Sequence, residues 1–318
     1  MFWTSYFLAL LAVLLAWPVP ILLSRARWPA RSPFPAMVLW QAVALAGGLS
    51  MIGAMLVYGL EPLGDNLVSG LRGLARILFS NGSVDRLGFW HVFALSTAAL
   101  LAAHLLFTLL VTYVRIQRQR FRHRELLHLL SSPDIERPGT VVINHPTPVA
   151  YCLPGGARSV TVLSDGLMDL LEPAELRAVL VHENAHLEQR HHLLLWAFAA
   201  WRSALPWLPT SRLAQRSVSS LIEMLADDVA LKEVDEATLI KAIMIVASGN
   251  PADDPAGAAG EGALAEPAAD SVAVAGRLSR LVEPQPPLEN ARRGLILAAA
   301  GLLLAAPTAV LVVPGLLG

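Results

Sequence analysis

The sequence predicts a mainly α-helical, polytopic membrane protein with four transmembrane helices and an α+β domain inserted between spans three and four. Three observations predict it. First, the 318 residues are 55% hydrophobic and 15% charged, with a mean hydropathy of +0.53, whereas a soluble domain is about 25% charged. Second, four stretches lack Asp, Glu, Lys and Arg for long enough to cross a bilayer core of about 30 Å, which takes about 20 helical residues. Third, arginines cluster at alternate span ends, as expected where short loops keep their cations on the cytoplasmic side. The net charge of -1 excludes a global basic field able to hold nucleic acid. The single cysteine, Cys152, excludes an internal disulfide and a zinc-thiolate cluster.

The first span, Tyr6–Leu23, follows no basic residue and ends at no small-residue cleavage site, so it is expected to be a retained anchor rather than a signal peptide. Ala36–Leu60, Leu87–Val114 and Gly294–Gly318 supply the other three spans. Arg25, Arg27 and Arg31 follow span one, Arg115, Arg118, Arg120, Arg122 and Arg124 follow span three, and Arg292 and Arg293 precede span four. All three clusters share one face if both termini lie outside the cell membrane and residues 115–293 lie in the cytosol. The expected division is a three-span membrane domain over 1–114, a cytosolic domain over 115–293 and a fourth span over 294–318. In the outer loop, Leu67, Leu71, Leu74, Ile77 and Leu78 recur at helical spacing and predict an interfacial helix. His91, beside Trp90, suits the interface, and His104 needs only a helix–helix hydrogen bond.

Within the inserted domain, Thr140–Asn144, Val149–Cys152 and Arg158–Leu163 are short β-branched runs separated by Pro-rich and Gly-rich turns, which predict a small antiparallel sheet. Glu172-Pro173 opens a helix that Leu176, Val179, Leu180 and Leu187 carry past residue 190, and a second helix is expected over about Ser211–Val234. Gly249–Asp270, rich in Ala, Gly and Pro, is expected to be a mobile loop open to a regulatory role. Leu193–Leu208 is apolar but interrupted by Arg202 and Pro206, too short to span. It is expected to lie along the membrane surface or under the domain, with Trp196, Trp201 and Trp207 as interfacial anchors.

The first of these helices carries His182-Glu183-Asn184-Ala185-His186. A spacing of four puts both imidazoles on one face, able to bind one Zn2+ while Glu183 reaches a water beside it as general base. A hydrolytic zinc site takes a third protein ligand and keeps a position open. Glu223, 37 residues after His186, supplies that ligand, and Asp227, one turn on, faces the same way and can hold an imidazole by its other nitrogen. His191 and His192 fall well round a continuous helix from the zinc face and are expected to meet headgroups or solvent.

The stretch Asn144–Cys152, then Val160–Ser164, then Glu175–Val181 leading into His182–His186, together with Glu223 and Asp227, resembles the catalytic region of the BlaR/MecR-type membrane metallopeptidases. Three spans before the zinc domain and one after it match as well. The resemblance implies a zincin-like metallopeptidase domain facing the cytosol, with Zn2+ on His182, His186 and Glu223, Glu183 as catalytic base and a BlaI-like transcriptional repressor as protein substrate. BlaR and MecR carry an extracellular penicillin-binding sensor after the last span; this chain ends at Gly318, so antibiotic sensing is not implied. A substrate strand is expected to add to a sheet edge at Val160–Leu163. The expected partners are that protein and the lipid bilayer, without direct nucleic-acid contact, and formation of a homo-oligomer stays open. An HtpX-like quality-control peptidase shares the motif and the later carboxylate but arranges its spans differently, which ranks it second. A silent transducer with a structural zinc site is a further alternative, against which an intact Glu183 argues.

Overall fold

The computed structural model describes residues 1–80, 85, 87–134, 139–155, 159–248 and 267–316. Four helical segments in it are long and apolar enough to cross a membrane: Phe2–Arg25, Pro33–Leu63, Phe89–Leu130 and Asn290–Val313. The first is two helices, α1 (Phe2–Ala16) and α2 (Pro18–Arg25). Pro18 and Pro20 have no N–H to offer the carbonyls four residues back, so the ladder breaks there. Next come α3 (Pro33–Leu60) and the expected interfacial helix, α4 (Leu67–Phe79). The Asn66 side chain accepts from the Ser69 backbone N–H, while Ser69 Oγ accepts from that of Asn66, which closes the start of α4. Then α5 (Phe89–Leu130) runs unbroken well beyond Val114, so the arginines at 115–124 continue the apolar helix without a break. The expected boundary at residue 115 therefore falls inside a helix.

The strands are β1 (Ser131–Pro133), β2 (Thr140–Ile143), β3 (Ala150–Leu153) and β4 (Val160–Ser164), in the order β1-β2-β4-β3. The sheet is mixed rather than antiparallel: β2 pairs with β4 in parallel, and β1–β2 and β3–β4 are antiparallel. This corrects the expected edge, since Val160–Leu163 lies in β4, whose two sides are both filled. The edge strand beside the motif helix is β3.

The helices α6 (Asp165–Leu170), α7 (Pro173–Glu188), α8 (His191–Ala204), α9 (Pro209–Ala230), α10 (Glu236–Ser248) and α11 (Pro267–Val282) follow, and α12 (Asn290–Leu316) closes the chain. The expected loop over Gly249–Asp270 lies outside the described residues up to 266, and its last four residues belong to α11 instead.

The segment Leu193–Leu208 is buried along one face, with Phe198, Ala200, Ala204, Leu205 and Leu208 inside, while Leu193 and Trp207 stay exposed. With α9 it forms a hairpin whose tip, Leu205–Leu208, packs with Ala16, Met51, Leu101 and Leu105, residues deep within three of the spans. The Trp201 ring lies on Gly48, where a Cβ would stand 2.8 Å from it; Gly48 is 15 residues into α3, about 22 Å from its start at 1.5 Å per residue. Trp201 is thus a bundle contact rather than an interfacial anchor, and the Trp196 ring packs at a tilt of 55° against Tyr113 of α5, with centroids 5.2 Å apart. Backbone groups at such depth need partners from the protein itself. Thr210 Oγ1 contacts the Leu15 and Ala16 carbonyls (2.9 and 2.6 Å), the latter orphaned by Pro20. Ser211 Oγ lies within 2.7 and 2.8 Å of the Leu205 and Leu208 carbonyls, and the His104 Nε2 donates to the Ala204 carbonyl at 3.0 Å. His104 thus makes the helix–helix bond expected of it, and His91 stacks on Tyr58.

The hairpin enters and returns on one side, so α9 emerges next to α7. Its apolar face, with Val218, Leu221, Ile222 and Met224, buries against Ala36, Met37 and Trp40 of α3. At about 1.5–3 kcal/mol for each fully buried side chain, this contact outweighs the exposed Arg177–Glu233 pair (2.5 Å), a kind worth about 0–1 kcal/mol. A second core joins Leu163 and Leu167 to Leu176 and Val179 of α7 and Leu239 and Ile243 of α10.

Candidate metal centre

Pro173 at the first helical position and the reciprocal Glu172/Glu175 capping box start α7. Glu175 also receives Lys241 of α10 at 2.5 Å, which fixes the helix before its first metal-facing residue. Leu176 and Val179 pack inward, and the same stripe continues into His182 and His186, each 8% exposed.

Glu223, on the face of α9 opposite its apolar contact with α3, meets these rings. The His182 and His186 Nε2 atoms are 3.2 Å apart, His182 Nε2 is 3.3 Å from Glu223 Oε2, and His186 Nε2 is 3.5 Å from Glu223 Oε1. Tetrahedral zinc with bonds of about 2.0–2.1 Å separates its ligand atoms by about 3.3–3.4 Å. The two imidazole nitrogens and the Glu223 carboxylate are thus separated by about the edge length of such a tetrahedron, and they fit the ion. The Glu223 side chain is 33% exposed, so the cluster is not sealed from solvent, as a site that keeps one metal position open requires.

Each ring is held from behind. His182 Nδ1 is 3.0 Å from Asp227 Oδ1, an ion-pair contact. His186 Nδ1 is 3.2 Å from His191 Nδ1, and His191 Nε2 is 3.1 Å from Gln189 Oε1. With the metal-facing His186 Nε2 bare, its Nδ1–H donates to His191, whose Nε2–H donates in turn to Gln189. His191 is thus 1% exposed and part of the site, which corrects its expected contact with solvent or headgroups. The reason is a helix break: α7 ends at Glu188, and Arg190 takes a left-handed conformation (φ 51°) that restarts the helical phase at His191. Replacing His191 by Phe should weaken zinc binding by about 10–100-fold, the usual effect of removing a group that orients a ligand imidazole; competition against a zinc chelator measures it.

Arg277 of α11 is the other residue that the sequence did not single out. Its Nη1 lies 3.0 Å from Glu223 Oε2, while Nε and Nη2 donate to the two Asp227 oxygens at 2.8 and 2.6 Å. The available signal was charge: Glu223, Asp227 and Asp228 crowd one helix, and buried carboxylates call for cations. Arg280, one turn on, answers Asp228 at 2.6 Å.

Burial alone would lower His182, but the Asp227 and Glu223 carboxylates outweigh it and hold the imidazole up at about 9. Burial, only partly offset by Glu223, and the neighbouring imidazoles push His186 down to about 4. Burial would raise the Glu223 carboxyl, yet His186, His182 and Arg277 hold it far below the usual carboxylate range. Asp227 is likewise lowered, by His182 and Arg277 against its burial. The donor set thus favours a cation where its three ligand atoms converge. Glu183, next to His182 on the same helix, is half-buried and close enough to raise the Arg277 guanidinium through its charge.

Residues 116–226 match the family model of peptidase family M48. That segment holds His182, Glu183, His186 and Glu223 and ends one residue before Asp227. The chain is also similar to Protease HtpX homolog 2 of Methanosarcina mazei, 32% identical over 74 residues, which is 23% of this chain and 25% of that protein. The chain thus spans about a quarter of the length of the curated relative it matches. No solved structure matches.

Proposed function

We propose that the chain is a membrane-integrated zinc endopeptidase that cuts a protein on the arginine-bearing side of the membrane. The observation that carries this reading is the convergence of His182, His186 and Glu223 at tetrahedral-edge distances, with Glu183 on the same helix. Zinc bound there would supply a Lewis acid for the scissile carbonyl and bring the pKa of the attacking water down to about 7. Glu183 takes that water's proton and delivers it to the leaving amine. Asp227 and His191 hold the two imidazoles in their metal-facing orientation. The substrate backbone lies extended along β3, the edge strand next to α7, where main-chain pairing positions a peptide with little demand on its sequence.

The M48 match and the relative named an HtpX homologue support the reading as an HtpX-like protease, for which an unspecific protein substrate is the first test. A second reading, one specific cut in a BlaI-like repressor, is favoured by the order of three spans, zinc domain and fourth span, together with Asn144–Cys152 before the motif helix. Purified full-length protein should digest casein, stop on addition of 1,10-phenanthroline and resume with zinc. Cleavage of a winged-helix repressor at one bond with casein untouched would favour the second reading. A zinc-loaded protein that cuts neither would be the silent transducer.

The proposed sidedness places the metal centre in the cytosol and both termini outside. Single cysteines at Arg190 and Ser219 in a Cys152→Ser background should both label from the cytosolic side. Labelling of Ser219 from outside would separate Glu223 from the histidines and remove the three-ligand site.

A further inference from the structure

On the far side of α9 from the metal centre lies a cavity of about 1020 Å³, walled by α2, the start of α3, α9, α11 and the entry to α12. It sits where three membrane segments leave the apolar layer, at Leu23, Pro33 and Arg293. Its wall is divided by chemistry. Phe34, 50% exposed, and Leu231, 37% exposed, form an apolar floor together with the half-buried Leu213 and Leu225. Among the described residues the lining has five arginines against three carboxylates, and Asp228, one of the three, is already bound by Arg280 at 2.6 Å.

We propose that this cavity is a binding site for one anionic phospholipid, with its phosphate on Arg27, Arg31 and Arg293 and an acyl chain over Phe34, Leu213, Leu225 and Leu231. Arginine suits the role because its planar fork matches phosphate oxygens in pairs. Arg31 spends its Nε on the Pro286 carbonyl at 3.0 Å, which holds the guanidinium in place with both amino groups left for a ligand. The volume falls at the top of the usual range for small-ligand sites, about 300–1,000 Å³, enough for a headgroup and part of a chain. A polar ligand alone would leave the apolar floor against water, and an apolar ligand alone would leave the net positive mouth uncompensated. The bilayer edge supplies both halves in one molecule. The occupant touches α11 at Arg280, one turn from the Arg277 that grips Glu223 and Asp227.

The test uses the full-length protein in dodecyl maltoside, with thermal unfolding followed on addition of phosphatidylglycerol, phosphatidylcholine or inorganic phosphate. Phosphatidylglycerol at about 100 times its Kd should raise Tm by about 4 °C, and the other two should not. The double variant Arg27→Gln/Arg293→Gln should lose that increment. The control Arg25→Gln/Arg292→Gln, on the same membrane face but outside the cavity, should keep it. Because the increment is read within each variant, a general loss of stability does not imitate the result. Equal increments in all three proteins would reduce the effect to unspecific surface charge and overturn the site. An equal shift from phosphatidylcholine or from inorganic phosphate would overturn the anionic lipid as its ligand. The readout is independent of proteolysis, so failure here leaves the endopeptidase proposal standing, and the converse.

Discussion

Replacing Glu183 by Gln should reduce peptide-bond cleavage by about 100- to 10,000-fold, the range for loss of a positioned general base, while zinc stays bound. The substitution keeps the side chain's size and removes its capacity to take a proton at neutral pH. The three ligand atoms lie on His182, His186 and Glu223, so binding of the ion does not depend on Glu183. Rate of casein digestion and zinc content per chain are to be measured on the same preparation. Lost zinc would mean that Glu183 is a ligand. Retained cleavage above about a tenth of the normal rate, against the factor of at least about 100 expected, would assign the proton transfer to another group.

Replacing Glu223 by Ala should lower zinc affinity by more than about 100-fold, beyond the 10–100-fold typical of groups that merely orient ligands, and cleavage should go with it. Two imidazoles one turn apart then remain, without the carboxylate that closes the set. The fold should survive, because α9 is fastened by the burial of Val218, Leu221, Ile222 and Met224 rather than by a carboxylate that is one-third exposed. The substitution also takes one partner from Arg277, whose fork to Asp227 stays. A chelator titration reads the affinity, and helical circular dichroism checks the fold. Glu223→Gln separates charge from size: a loss comparable to that of the alanine variant would assign the effect to the missing anion. Full zinc occupancy with full activity in either variant would remove Glu223 from the metal.

The candidate metal-binding cluster is legible in the sequence because an α-helix imposes a fixed period. Residues four apart share a face in any helix, so His182 and His186 had to converge, and Glu223 with Asp227 repeats the same spacing on a second helix. The spans were legible for an equally local reason, the bilayer's demand for a length of uncharged residues. Three features were not. His191 was assigned to the wrong face because the phase argument ran through Gln189 and Arg190, and a single left-handed residue resets it. The place of β4 inside a mixed sheet depends on pairing between segments, which alternation along one segment does not encode. Arg277 lies 50 residues beyond Asp227 in a stretch without a motif, and only the docking of α11 on α9 makes it a partner of the site.

The hairpin of α8 and α9 marks the division most clearly. Consecutive residues already show that Leu193–Leu208 is apolar, too short to cross a bilayer and bound to return to the side it left if one ion is to join His182, His186 and Glu223. That it packs among the spans depends on groups scattered along the chain: Gly48, which leaves room for Trp201, His104, which donates to the Ala204 carbonyl, and Thr210, beside the Ala16 carbonyl that Pro20 leaves without a donor. Helical period and span length are properties of consecutive residues and can be read from them. Cavity shape and the pairing of buried polar groups are properties of residues brought together by folding, and they exist only once the helices have packed.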